Sequence, residues 1–194
     1  MSYRLRRKHW ITIVLFLLGI PAAISQSHGS FITLKKSVAA SQPGLYSISH
    51  FVDGDTIAVD MNGTPETVRF IGIDTPETHK PNTPVQCYGP AAAAYTQNRI
   101  KAAGGRVRLV ADSLSTNRDR YNRLLRYVYL PDDTNLDQEL VSKGYAFAYV
   151  SFPFTKSDVF SAAQKDAQAK KLGLWGNCNP YQESNGRWQS NNAG

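Results

Sequence analysis

The chain has 194 residues, 42% of them hydrophobic, which supplies one good core and is short for two domains. Its formal net charge is +7, and four of the basic residues sit within the first eight positions, so without residues 1–25 the charge is +3. That modest excess excludes a histone-like polycation and suits either brief, salt-sensitive contact with a polyanion or plain solubility. Two cysteines and four dispersed histidines support neither a zinc centre nor a cysteine-nucleophile enzyme.

Arg4, Arg6, Arg7 and Lys8 precede an uncharged apolar run from Trp10 to Ile20, and Pro21-Ala22-Ala23-Ile24-Ser25 follows. This is the order of a signal peptide, residues 1–25, cut near Ala23 or Ser25. The run falls short of the roughly 20 residues that span a bilayer, so the expected location is secreted or periplasmic. A membrane anchor through residues 10–24 is the alternative. Residues 26–44, rich in Ser, Gln, Gly and Lys without a sustained period, read as a linker.

Alternation of apolar and polar side chains predicts a first strand over residues 46–52, then a turn at Asp53-Gly54-Asp55. A second strand covers 56–61 and a third 67–73, joined through the hairpin signal Asn62-Gly63. Residues 90–103 form a helix with Pro in its first turn and Gly104-Gly105 as its stop. Strands over 106–111 and 124–130 complete a set of five. Helices follow over 136–143, capped by Thr134 or Asn135, and over 157–172, ended by Gly173. The folded domain is thus expected to span 45–178, with the polar, Asn-rich residues 179–194 disordered. The element order predicts an α+β fold, a five-stranded barrel of the OB type with three flanking helices.

If the second and third strands pair, Asp55 comes near Asp74, and two carboxylates with a carbonyl and waters make an oxygen-only site for Ca²⁺ or Mg²⁺. An Asp-Gly-Asp turn is, by itself, more often only a turn. Arg69 falls at the same end of the barrel, and Arg123 follows the Asp119-Arg120-Tyr121-Asn122 turn. A guanidinium can hold phosphate oxygens through two parallel hydrogen bonds. For Arg118, Arg120 and Arg126 the plainer role, a surface partner for an acid or a diffuse attraction for substrate, is preferred.

Taken in order, several segments resemble the staphylococcal nuclease (thermonuclease) family. They are Val52-Asp53-Gly54-Asp55-Thr56, Arg69 through Asp74-Thr75-Pro76-Glu77-Thr78, Cys87-Tyr88-Gly89-Pro90, Asp119 to Arg123 followed by Tyr127-Val128-Tyr129, and Lys171-Leu172-Gly173-Leu174-Trp175. The resemblance covers about residues 46–176. It implies Ca²⁺-dependent hydrolysis of DNA and RNA to 3′-phosphate products. The chain is expected to be a monomer, with no obligate protein partner evident. Asp55, Asp74 and the Thr75 carbonyl would ligate calcium, with Asp53 behind them. Glu77 would act as general base, and Arg69 and Arg123 would bind the scissile phosphate. Tyr121 and Tyr149 would contact the nucleotide, Tyr149 by stacking on a base.

Two departures stand out. Ser151 occupies a position where the family often has an aromatic, with Phe152 and Phe154 nearby, and Asn122 replaces a common glycine. Cys87 and Cys178 are either bridged, as an exported chain allows, or free. A barrel that binds nucleic acid or peptide without cutting is the competing reading. Such modules usually lose a metal carboxylate, the base or an arginine, and here all five residues are present.

Overall fold

The structure is a computed structural model and describes residues 44–79 and 83–193. The expected leader (1–25) and the linker up to residue 43 lie outside the described residues.

Strand β1 (Leu45–Phe51) turns Tyr46 and Ile48 toward the core, and a register shift between Ile48 and His50 then brings Phe51 inward. β2 (Thr56–Met61) contributes Ile57 and Val59. Asn62 and Gly63 both have positive φ, 58° and 82°, as a two-residue hairpin turn of the favoured twist requires. That turn fixes Met61 opposite Thr64. β3 (Thr64–Phe70) therefore starts three residues before the expected position, because the register of the turn overrides the polar Thr64-Pro65-Glu66 segment. It also ends earlier. Gly72, at φ 73°, turns the chain, and Ile73–Asp74 becomes a separate strand, β4. Asp74 is consequently not on the third barrel strand.

Helix α1 (Gly89–Ala102) leads to β5 (Arg106–Val110) and β6 (Leu124–Tyr129). The barrel closes in the order β1-β2-β3-β6-β5, with β3 and β6 parallel and β5 paired back to β1. This is the α+β, OB-type architecture expected. Helix α2 (Leu136–Ser142) is capped by Asn135, whose side chain accepts from Gln138 N at 2.9 Å. After β7 (Phe147–Ala148), which pairs with β4, helix α3 (Ser157–Ala169) packs against α2, and a short α4 (Leu174–Asn177) follows. Val68, Val107 and Val128 of the barrel and Leu136, Leu140 and Phe160 of the helices are wholly buried, each contributing about 1.5–3 kcal/mol through removal from water.

The tail departs from expectation. Residues 181–189 form a hairpin of β8 (Tyr181–Gln182) and β9 (Trp188–Gln189), not a disordered end. Trp188 stacks parallel to Phe147 with centroids 6.4 Å apart and meets Trp175 edge-on at 5.1 Å. Cys87 N donates to Asn191 O at 2.7 Å, and Ala193 N donates to Val85 O at 2.8 Å. Cys87 and Cys178 are bridged across a sequence separation of 91, a constraint worth about 3–5 kcal/mol by loop entropy. One tryptophan and one cross-link order a segment whose composition alone predicts disorder.

Asp137, in the first turn of α2, is fully buried, and its Oδ2 accepts from Val128 N at 2.8 Å, tying α2 to β6. Burial pushes its pKa up to about 8, against the pull of its backbone donors. The folded state thus keeps a proton that the unfolded chain loses above its ordinary value of 3.8. Its contribution is complete in acid and is lost as pH rises toward 8. Urea unfolding between about pH 5 and pH 8 should show wild type losing stability faster than Asp137→Asn, by up to about 1.4 kcal/mol per pH unit. Parallel profiles would mean that the carboxyl is ionised in the fold.

Candidate active site

The site begins at the turn between β1 and β2. Asp53 Oδ1 accepts from Asp55 N at 3.1 Å, which points the Asp55 carboxylate inward, where it is 5% exposed. Thr56 Oγ1 donates to Asp55 Oδ1 at 3.0 Å, while Thr75 N and Oγ1 donate to Oδ2 at 2.8 and 3.0 Å. The Thr75 segment comes so close that a Cβ on Gly54 would stand 2.8 Å from Thr75 Cγ2. Only glycine permits that approach.

The β2–β3 register places Thr56 opposite Arg69, and Phe70 N donates to Asp55 O at 2.9 Å. One atom then joins the two carboxylates: Arg69 Nη2 lies 3.0 Å from Asp74 Oδ1 and 3.2 Å from Asp55 Oδ2. Nη1 donates to the carbonyls of Ile73 and Phe70 at 2.8 and 3.0 Å. Burial works against the charge on Arg69, but Asp55 and Asp74 outweigh it and raise the guanidinium above its usual range. Asp53 is pushed up to about 7, first by burial and then by the charge of Asp55.

Glu77 rides on a loop clamped at both backbone atoms by Gln86. Glu77 N donates to Gln86 Oε1 at 2.8 Å, and Gln86 N donates to Glu77 O at 2.9 Å. Glu77 Oε1 accepts from Thr78 N at 3.1 Å and His79 N at 3.3 Å. Gly89 at the start of α1 fits against this loop, since a Cβ there would meet Glu77 O at 2.8 Å.

Arg123 enters from the start of β6. Its Nε donates to Asp119 Oδ2 at 2.7 Å, its backbone N donates to Asp119 Oδ1 at 3.0 Å, and Nη1 reaches Thr56 Oγ1 at 3.5 Å. Asn122 holds the turn with φ 64°, a left-handed backbone that Asn tolerates. Tyr121 is 64% exposed and carries Arg120 over its ring at 4.8 Å. Tyr149 N donates to Gly72 O at 2.7 Å, and Phe152 meets the Tyr149 ring edge-on at 4.7 Å. Phe152 is thus the second aromatic beside Tyr149, whereas Phe154 belongs to the core. Arg118 makes the expected pair with an acid, Glu66, at 2.7 and 3.0 Å. Arg126 is instead buried and donates to Leu125 O and to both carbonyl oxygens of Asn117.

A cavity of about 880 Å³ gathers Asp55, Arg69, Asp74, Thr75, Glu77, Tyr121, Arg123 and Tyr149 along its walls. All eight residues singled out in the sequence therefore face one space. The sequence profile described as staphylococcal nuclease homologue matches residues 67–177. The chain belongs to the staphylococcal nuclease family. It is 38% identical over 164 residues to a thermonuclease of Staphylococcus intermedius, covering 84% of this chain and 95% of that protein. It is 36% identical over 168 residues to the thermonuclease of Staphylococcus hyicus, covering 86% and 95%. It is also 40% identical over 131 residues to the endonuclease YncB of Bacillus subtilis, covering 66% and 60%.

Against that family background, three features of the site escaped sequence reasoning. Gln86 clamps the Glu77 loop, and Asp119 orients Arg123. Arg187, from the terminal hairpin, donates through Nε and Nη2 to Asp74 Oδ2 at 3.0 and 2.7 Å. The Asp119 clamp had a local signal, an acid four residues before the arginine, as in other tight turns. The Gln86 clamp joins residues nine apart with no periodic pattern between them, and the Arg187 contact spans 113 residues, so neither has a local signal.

Proposed function

We propose that this protein is an exported, calcium-dependent nuclease that hydrolyses phosphodiester bonds of DNA and RNA to 3′-phosphate products. The coarser part, a phosphodiester hydrolase, rests on family membership. The observation that supports the metal and phosphate chemistry is the shared Arg69 nitrogen between Asp55 and Asp74, within one cavity that also holds Glu77 and Arg123.

Asp55 and Asp74 are oxygen donors without His or Cys beside them, and among the described residues no cluster of three or more metal-ligating side chains occurs. Such a donor set fits a hard cation whose shell is completed by a backbone carbonyl and water. Asp55, Asp74 and the Thr75 carbonyl would hold Ca²⁺, which supplies positive charge to a phosphoryl oxygen and orients water. Arg69 and Arg123 then grip the nonbridging oxygens of the scissile phosphate and stabilise the charge that grows there. Glu77 takes the proton of the attacking water. Tyr121 and Tyr149 receive the nucleotide, and stacking on a ring is tolerant of base identity. Contacts to phosphate with few to base edges lead to weak sequence preference.

Export is supported by the leader composition and by the Cys87–Cys178 bridge, a bond that persists in oxidising compartments. Incubating the purified exported protein with single-stranded and duplex DNA tests the metal requirement. Cleavage should occur with Ca²⁺ and stop in chelator, with products that carry 3′-phosphate ends. Undiminished cleavage in chelator would remove the metal from the reading.

A further inference from the structure

Arg187 lies beyond the residues that the family profile matches, yet it reaches the centre of the cleft. Its hairpin is anchored rather than loosely appended. The Cys87–Cys178 bridge holds its root, Ser190 Oγ donates to Cys87 O at 3.0 Å, and Gln86 Nε2 donates to Gln189 Oε1 at 2.9 Å. Trp188 packs against both Phe147 and Trp175, which also touch each other. The neighbouring Arg187 is therefore delivered to a set position, with its side chain still 37% exposed.

Three observations give that position a meaning. First, Asp74 already has a cationic partner in Arg69, bound at Oδ1, so Arg187 adds a second guanidinium to one carboxylate. Arg69 and Arg187 together match the charge of Asp55 and Asp74, so a divalent cation held by those two acids would leave a positive excess that an anionic ligand would balance. Second, the Arg187 guanidinium lies 5.5 Å from the ring centroid of Tyr149, the tyrosine read as the base-stacking surface. Third, Arg187 and Tyr149 line both the main cavity and a second groove of about 270 Å³ that also includes Gln164, Lys165 and Gln168. A strand leaving the main cavity past Tyr149 would run beside Arg187 into a groove furnished with amides and an ammonium.

We propose that Arg187 is a third phosphate-binding arginine of the cleft, gripping the phosphate next to the base that stacks on Tyr149. This rests on the nuclease reading of the site. Within the Asp74 pair, Nη1 makes no hydrogen bond to the described residues, so a donor is available even before the pair opens. With Asp74 engaged by a divalent cation, the hold on Arg187 weakens and the guanidinium exchanges a carboxylate for a phosphate.

The test is binding rather than turnover. A fluorescein-labelled single-stranded oligonucleotide is titrated by anisotropy into the full chain carrying Glu77→Gln, at saturating Ca²⁺, across a salt series. Adding Arg187→Gln should weaken binding roughly 10-fold or more, the loss expected of a charge-assisted hydrogen bond. The log–log salt slope should become shallower by about 0.7, one phosphate contact on a single strand. Arg187→Lys should keep most of the slope, because the charge remains. Trp fluorescence and thermal unfolding of each variant report whether the hairpin stays docked. If Arg187→Gln undocks it, the affinity of Arg187→Lys decides: a loss of about threefold or more supports the proposal, because an ammonium lacks the guanidinium fork, and wild-type affinity overturns it. Unchanged affinity and slope would reduce Arg187 to an ion pair that only pins the hairpin. Tighter binding would make it an occupant of the substrate's place, and either result overturns the proposal. Arg123→Gln in the same background separates the two readings. If it weakens binding while the Arg187 variants do not, only this inference fails. If neither position matters, the reading of the cleft fails with it.

Discussion

Replacing Glu77 by Gln should lower turnover by about 10²–10⁴-fold, the usual contribution of a positioned general base. The amide keeps the size of the carboxylate and can still accept the backbone hydrogen bonds from Thr78 and His79. The loop itself is held by Gln86 through main-chain atoms, which the substitution leaves untouched. Oligonucleotide affinity and thermal stability should therefore stay near wild type while kcat falls. Single-turnover cleavage at saturating enzyme isolates the chemical step. A variant that cuts at the wild-type rate would show that Glu77 is not the base, and attention would move to Asp53 or to solvent.

The second large effect is expected at Arg123. Arg123→Gln should reduce kcat by about 10²–10³-fold, the range for removal of one donor aimed at transition-state charge. Of the two phosphate arginines it gives the cleaner test. Arg69 is buried between Asp55 and Asp74 and bonded to two carbonyls, so its loss would leave two acids facing each other and would confound folding with catalysis. Arg123 has one carboxylate partner, Asp119, and remains 28% exposed, so its removal costs little stability. The expected signature is a loss in kcat larger than the rise in KM, since the grip tightens as the phosphate gains charge. A pure KM effect would place Arg123 in ground-state binding alone.

Much of the site was legible because its parts are local and chemically distinctive. The Asp-Gly-Asp turn is Gly-dependent and presents its second acid inward. The Asn62-Gly63 dipeptide dictates a two-residue hairpin, and that hairpin alone brings Arg69 level with Thr56 and hence with Asp55. The placement of Asp74 was less legible. A continuous third strand and a strand broken at Gly72 differ by one positive φ, which the apolar pattern of Phe70, Ile71 and Ile73 does not register.

Strand alternation, turn chemistry and capping act within a few residues. The chain alone therefore reveals the strands of the barrel except the ends of β3, the first two helices and the inventory of acids and arginines, whereas α3 stops at Ala169, short of the expected Gly173. What meets across long separations depends on the folded barrel and its cross-link. The disulfide draws the terminal hairpin against the start of α1, and aromatic packing of Trp188 fixes it there. That brings Arg187 to Asp74, at a sequence separation of 113. No local pattern encodes such a contact. It follows from where the folded barrel leaves a carboxylate within reach of a guanidinium, and from a covalent bond that holds the two chain segments together.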